Sequence, residues 1–390
     1  MPGPLAGFRI LDLTMVISGP SATQILGDQG ADIIKVEPPH GDFTRHVANP
    51  ENLFSASFLN NNRNKRSIVL NLKSADELAA LTAIAKTCDV FIHNFRPGVT
   101  DRLGIGEKAI REVRPDIVYA SICGFGFEGP YRDKPVYDPL IQAVSALTTV
   151  QAGSDDERPR LVRTILPDKL TGVKASQAVT AALLHRERTG EGQHVKLSML
   201  DTVIAFLWGS DMSGHTFVGK EVDEEQAQSF IDLIYDVADG YITVSVMQDK
   251  QWRAFCEVTA REDLLEDARF ATPALREKNK DARLSEIQLT VRPFESAAIL
   301  EKLERAGVPC APVLTRRQMR DHPQVKANGI VIETDHPDAG QLRQARAAAT
   351  FSNTPTEIRS GAPRLGEHTE EILRETDLGV DVIEGILANV

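Results

Sequence analysis

Over the first two hundred residues, short unbroken apolar runs alternate with stretches that are apolar on one face only. Residues 8–13 (FRILDL), 31–36 (ADIIKV), 67–72 (SIVLNL), 88–92 (CDVFI) and 117–122 (IVYASI) are runs of strand length. Continuous rather than alternating hydrophobicity marks strands buried on both faces. Between them, residues 21–30, 74–86 and 107–113 carry helical spacing, with Leu78, Leu81 and Ala85 on one inward face. Ser18-Gly19-Pro20 breaks the first strand from its helix, so residues 8–36 read as a β-α-β unit. Strands and helices alternating at these intervals predict a parallel sheet with helices on both faces. A ligand of such a sheet sits at the strand C-terminal ends. The loops there include 38–42, 93–98 and the glycine-rich 124–130.

Residues 161–201 carry a longer helical pattern, with Leu170, Val173, Val179, Ala182 and Leu183 expected inward and Asp168 just ahead of it. Thr189-Gly190-Glu191-Gly192 ends the helix, and Val195, Leu197 and Met199 alternate as a strand. A carboxylate at a helix start meets unpaired N–H groups and the positive end of the dipole. Asp168 therefore reads either as a helix cap or as an ionised group beside oxyanion donors.

The pattern changes after residue 201. Residues 203–218 read as a helix, and 219–229 are acidic and polar. Asp239-Gly240 predicts a hairpin turn between 234–237 and 241–246, with helices near 251–259, 280–291 and 296–306. Strands are expected again at 330–334 and 347–351, and a helix at 369–377. The reading is an α/β protein: a Rossmann-like large domain over 1–200, a linker over 201–225 and a smaller α+β domain over 226–325. A second linker over 326–345 leads to a return segment, 346–390, that completes the large domain.

Composition narrows the function. The chain has 390 residues, 42% hydrophobic and 25% charged, with a formal net charge of −11. That range is globular and not disordered, and the negative charge disfavours nucleic acid as a partner. No apolar run is long enough to span a bilayer, and the first residues lack the charged region and cleavage site of a signal peptide. The cysteines, Cys88, Cys123, Cys256 and Cys310, are far apart with no CxxC pair or histidine at ligand spacing. They read as reduced thiols of a cytoplasmic protein, and no metal site is expected. The first turn lacks GxGxxG, so no nicotinamide site is read from it. Basic residues nevertheless gather on the loops: Lys65, Arg66, Lys73, Arg96, Arg102, Arg132 and Lys134. On so acidic a chain they suggest a site for a polyanion such as a phosphorylated nucleotide, provided that they converge.

Several blocks carry a family resemblance: PLAGFRILDLT, SGPSATQILGDQGADIIKVEPPHGD, NRNKRSIVLNLK, CDVFIHNFRPGVTDRLG, SICGFGFEGPYRDKPVYD, PDKLTG, RTGEGQ, AGVPCAPV and APRLGEHTEEIL. In order and over nearly the whole length, they resemble the class III CoA transferases, a group that includes formyl-CoA:oxalate and carnitine-related CoA transferases and the 2-methylacyl-CoA racemases. The resemblance implies that Asp168 is a nucleophile, attacking an acyl-CoA thioester to give an aspartyl anhydride and then an aspartyl-CoA thioester. It implies coenzyme A contacts at Val16, Ile17, Leu70, Asn71, Leu72, Lys73, Asn94, Phe95, Arg96 and Arg102. Val136, Tyr137, Asp138 and Met199 would line the channel towards Asp168. Val16, Ile17, Leu70 and Met199 read equally as core residues, whereas Lys73 and Arg102 suit phosphate, which needs a paired cation. Loop 124–129 is the expected source of oxyanion donors.

Three departures bear on the substrate. Pro38 stands where formyl-CoA transferases place an adenine-stacking Arg. Pro135, with Lys134 beside it, replaces their lysine before the channel tyrosine. The segment EEQAQSFIDLI before Tyr235 lacks their glycine run. Tyr137 stands where the racemases have a catalytic His, which removes one base of a two-base proton exchange. CoA transfer between carboxylic acids is thus the leading expectation, with an acyl-CoA racemase or a non-catalytic acyl-CoA-binding protein as alternatives. Lys169 and Arg163 could pair with a second carboxylate, favouring a dicarboxylic acid such as succinate. The resemblance also implies a homodimer of interlocked chains.

Overall fold

The strands β1 (Arg9–Leu13), β2 (Asp32–Glu37), β3 (Lys65–Val69), β4 (Val90–His93), β5 (Val118–Cys123) and β6 (His194–Ser198) pair in parallel. Their order in the sheet is β3-β2-β1-β4-β5-β6. The chain winds outward from β1 to β3 and then resumes at β4 on the other side of β1. That reversal opens a crevice beyond the C-terminal ends of β1 and β4. The structure is a computed structural model and describes residues 3–47, 54–153, 155–220 and 233–388.

The connections carry α1 (Ser18–Asp28), α2 (Ala56–Asn61), α3 (Ala75–Lys86), α4 (Val99–Arg102), α5 (Glu107–Val113), α6 (Asp138–Val144), α7 (Leu147–Ala152), α8 (Leu166–Thr189) and α9 (Met199–Leu207). Alternate strand residues feed two cores. Leu11, Leu13, Ile34, Ile68, Phe91 and Tyr119 pack with Leu81 and Ile84 of α3. Ile10, Ile33, Val90, Ile92 and Val118 pack on the opposite side with Leu26 of α1 and Val179 and Leu183 of α8. Val173, expected inward, is exposed, because α8 turns Gly172 rather than Val173 towards α1.

Residues far along the chain return to this sheet. Ile372 and Leu373 of helix Thr369–Arg374 and Ile383 and Ile386 of helix Val380–Leu387 complete the first core. One compact unit accordingly comprises Met1–Ala227 and Gly329–Val390, and the other Gln228–Asn328. The second unit holds the antiparallel strands β7 (Ile234–Val237), β8 (Gly240–Val244) and β9 (Cys310–Pro312). Their core includes Tyr235, Ile242, Trp252, Phe255 and Ile299. Asp239 fixes the hairpin turn by accepting hydrogen bonds from the Ser296 N–H (2.7 Å) and hydroxyl (2.8 Å).

The expected linkers differ from what is observed. Within 326–345, β10 (Val331–His336) and β11 (Gly340–Ala345) form a regular hairpin. Residues 347–351, expected as a strand, are not one. Of the linker placed at 201–225, residues up to Leu207 belong to α9, and 221–225 lie outside the described residues, as does most of the EEQAQSFIDLI segment. Among the described residues no helix is long and apolar enough to cross a membrane.

Candidate active site

The loop between β1 and α1 is held by an ionic network of unusual burial. Asp12, Lys35 and Lys65 have no exposed side-chain surface, nor does Asp42. Lys65 pairs with Asp12 (3.2 Å), Lys35 with Asp42 (3.0 Å) and Arg45 with Glu37 (2.6 Å). Lys35 also donates to the Thr14 carbonyl, and Asp42 accepts from the Val16 N–H. Asn94, just past β4, grips Met15 twice, accepting from its N–H (3.0 Å) and donating to its carbonyl (2.7 Å). Fixed from three sides, the loop holds Val16 at φ +73°, a conformation costly for a β-branched residue. It delivers Ser18 to the first turn of α1 with an unspent backbone N–H.

That Ser18 meets Asp168. Asp168 does not precede α8; it lies in the first turn, and Ile165 at the N-cap gives no side-chain hydrogen bond. Capping falls to another carboxylate: the Asp168 N–H donates to Asp138 Oδ2 (3.3 Å). Asp138 is held in turn by Gln142, whose Nε2 donates to Oδ1 (2.6 Å) while its Oε1 accepts from the Val162 N–H. The Asp168 side chain is therefore free of capping, and Ser18 offers it both a hydroxyl and a backbone N–H. Helices α1 and α8 come close enough for this because Gly172 leaves room: a Cβ there would lie 2.0 Å from Ser21 Oγ.

Burial, and then the neighbouring Asp138 carboxylate, push the Asp168 carboxyl up to about 6, against the opposing Ser18 bonds. Burial also raises Asp138, against Gln142, the Asp168 N–H and Lys169. Such a carboxylate is ionised at neutral pH yet more basic than a solvated one, which suits a nucleophile.

A cavity of about 610 Å³ lies beyond the strand ends, lined by Leu13 at the end of β1 and Met15 after it, Pro38 and His40 after β2, and Leu70 to Lys73 after β3, with Phe95 and Leu103. Asp168 is not part of its wall. The two are joined by the loop itself: Met15 lines the cavity and Ser18, three residues on, touches Asp168. Three residues span at most about 11 Å. In the segment after β4, Arg102 and Arg132 converge on Gly98, since a Cβ there would lie 3.5 Å from Arg102 Nη1 and 3.8 Å from Arg132 Nη2. Lys73, Arg96 and Arg102 are exposed.

A family model described as CoA-transferase family III matches residues 5–369. The chain belongs to that family. The succinate–glutarate CoA-transferase of Agrobacterium fabrum is 32% identical over 384 residues, covering 96% of this chain and 96% of the relative. The formyl-CoA:oxalate CoA-transferase of Streptomyces coelicolor is 34% identical over 388 residues, covering 94% of each. Among solved structures, a CAIB/BAIF family protein from Brucella suis aligns with a TM-score of 0.84 at 29% identity, over 97% of this chain and 100% of that one. The chain is a CoA-transferase, and its family works on CoA thioesters.

In this family III CoA-transferase the residues singled out from sequence fall into three places. Leu70, Asn71, Leu72, Lys73 and Phe95 line the cavity. Val16 and Ile17 belong to the loop between cavity and Asp168, Ile17 being buried, and Asn94 holds that loop from the end of β4. Val136 and Met199 pack with Ile141, Val203 and Leu166 beside the start of α8. Tyr137 is 69% exposed, whereas its neighbour Asp138 is 4% exposed. Two of the basic residues do not join the others. Lys65 is buried against Asp12, and Arg66 pairs with Asp32, Glu371 and Glu375 at the N-terminal side of the sheet. Arg45, a few residues past Pro38, is committed to Glu37 and packs over Phe58, so it does not supply the stacking group missing at Pro38. The donors that face the Asp168 carboxyl come from Ser18. Neither Ser18 nor Gln142 is among the site residues expected from sequence; the Ser-Gly-Pro break is a signal for the first, and nothing local marks the second.

Proposed function

We propose that this enzyme moves CoA between two carboxylic acids through covalent intermediates on Asp168. An Asp168 oxygen attacks the acyl carbon of the donor thioester; the C–S bond breaks, leaving an acyl–aspartyl anhydride and CoA thiolate. The thiolate attacks the aspartyl carbonyl, the anhydride C–O bond breaks, and the donor acid leaves as its carboxylate. The acceptor carboxylate then attacks the aspartyl thioester and expels CoA thiolate, which attacks the acceptor's acyl carbon and frees Asp168. The cavity beyond β1 to β4 holds the nucleotide, with Lys73, Arg102 and Arg132 for its phosphates, and loop 15–18 leads the thioester to Asp168. Ser18, through its N–H and hydroxyl, stabilises the oxyanions.

One observation carries this reading: the half-buried Asp168 carboxyl is relieved of helix capping by Asp138, raised in basicity, and faced by two donors. The names of the relatives and Lys169, which donates to Thr164 Oγ1 at 2.9 Å beside Asp168, favour a dicarboxylic acid as one partner. A homodimer is part of the reading. It is supported by an apolar groove of about 1140 Å³ along α1 and α8, where Val173, Leu184 and Phe351 stand ready to be covered.

The test is exchange between a panel of acyl-CoA donors and free acids, followed by mass, with wild type and Asp168→Ala. Transfer to succinate or glutarate that vanishes in the variant supports the proposal. Undiminished exchange in Asp168→Ala removes it. Solvent deuterium entering the α-carbon without acceptor acid would move the enzyme to racemase chemistry.

A further inference from the structure

A line of polar side chains runs across three neighbouring strands, level from β4 to β5 and then slanting back two residues to the start of β6. His93 ends β4, Ser121 lies beside it on β5, and His194 begins β6. Ser121 Oγ is 2.9 Å from His93 Nε2 and 2.9 Å from His194 Nε2. His194 Nδ1 is 3.3 Å from Glu107 Oε2 on α5. At the other end His93 Nδ1 accepts the Phe95 N–H (3.2 Å), and the two rings stack at 5.7 Å. His93 and Ser121 are buried, with 4% and 3% exposure.

The donors fix the direction of this chain. Because the Phe95 N–H can only donate, His93 Nδ1 accepts, and the neutral ring carries its proton on Nε2. That proton goes to Ser121 Oγ. The Ser121 hydroxyl proton is left for His194 Nε2, which puts the His194 proton on Nδ1, towards Glu107. Every member has one role. A second proton on His194 has only Nε2 to occupy, where it opposes the Ser121 proton. If Ser121 turns to donate to His93, the His93 proton must move to Nδ1, against the Phe95 N–H. Phe95 lines the cavity and Asn94, between the two, holds Met15.

We propose that Glu107, His194, Ser121 and His93 form a positioning relay for the Asn94–Phe95 corner, so that acyl-CoA binding weakens when His194 takes up a proton. The proposal rests on the cavity being the nucleotide site. Around His194 the charged groups are Glu107, which favours the proton, and Lys196 and Arg111, which oppose it. Burial and these cations set its titration below the ordinary histidine value, with the Tyr119 ring edge-on at 5.0 Å. His93 is held far lower by burial, to about 3, so it stays neutral while His194 titrates.

The experiment is calorimetric binding of CoA to the full chain from about pH 8 to about pH 4, which covers the ordinary histidine range and the region below it into which His194 is shifted. The CoA 3′-phosphate itself titrates near about pH 6 and contributes equally to every variant. Wild type should therefore lose about fivefold to tenfold more affinity over this range than His194→Gln, as expected for one lost hydrogen bond. Ser121→Ala should bind CoA about fivefold more weakly at neutral pH, with KM for acyl-CoA raised and kcat kept. Imidazole nitrogen shifts of the wild-type protein should show His93 protonated on Nε2 and His194 on Nδ1, a readout that survives if a variant fails to fold. Identical pH profiles for wild type and His194→Gln, or the opposite tautomers, overturn the relay. No CoA binding by wild type at all overturns the cavity assignment, and the relay with it.

Discussion

Asp168→Asn should make the protein more stable at neutral pH while abolishing turnover. Burial and the Asp138 carboxylate raise Asp168 from 3.8 to about 6. That rise corresponds to about 3 kcal/mol of unfavourable interaction in the charged form. The group is only half-buried, so solvent screening removes part of this. Asn also forgoes the favourable interaction of a carboxylate with the start of α8, about 0.5 kcal/mol. The net gain is about 1–2 kcal/mol. The sign follows from linkage: between 3.8 and about 6 the native state binds more protons than the unfolded chain, so wild-type stability falls as pH rises through that window. The gain from Asn is thus full above about pH 6 and disappears below about pH 4. Denaturant midpoints for the unit carrying the sheet, measured for both proteins at about pH 4 and about pH 7, read this directly. An equal effect at both pH values, or a variant less stable at both, would refute the electrostatic account.

Other outcomes follow from the same geometry. The kcat/KM of wild type should rise with pH through about 6 as Asp168 ionises, and Asp138→Asn should move that limb to lower pH by removing the adjacent charge. Gly172→Val places atoms where Ser21 Oγ and the Ser18 carbonyl stand, 2.0 and 2.9 Å from the Cβ. It should cost about 1–3 kcal/mol in denaturation and more than tenfold in kcat, since α1 and Ser18 are pushed from Asp168. Lys73→Ala and Arg102→Ala should each raise KM for acyl-CoA several-fold with kcat kept, and weaken its salt dependence. Asp12→Asn leaves Lys65 buried without its carboxylate and should destabilise by about 3–5 kcal/mol in thermal unfolding.

The sheet was legible because its strands are buried on both faces, which writes continuous apolar runs such as Ile33-Ile34 and Val90-Phe91-Ile92 into the chain. Boundaries slipped where polar residues sit in the interior. The third strand starts at Lys65, two residues before the apolar run, because Lys65 is buried by its pairing with Asp12. Local pattern cannot show such a partner fifty-three residues away. For the same reason Lys65 and Arg66 looked like site cations on a polar turn, when each is committed to carboxylates. Asp168 was visible as a carboxylate at a helix start, but its freedom from capping depends on Asp138, thirty residues earlier. The strand expected at 330–334 meets β10, but its partner β11 falls inside the expected linker because its residues are largely exposed and polar, with only Gln344 buried.

The sheet's outer edge is stitched by bonds that span most of the chain. Ser67 N–H donates to the His368 ring across 301 residues, Arg45 reaches the Pro363 carbonyl and Asn64 the Glu357 carbonyl. During synthesis, β3 and α3 must therefore wait with an open flank until the residues after 357 leave the ribosome, while the segment 228–328 already has all of its own core. Maturation of this enzyme should therefore wait on its last-made piece, and premature stops near the end should yield aggregates rather than shortened catalysts.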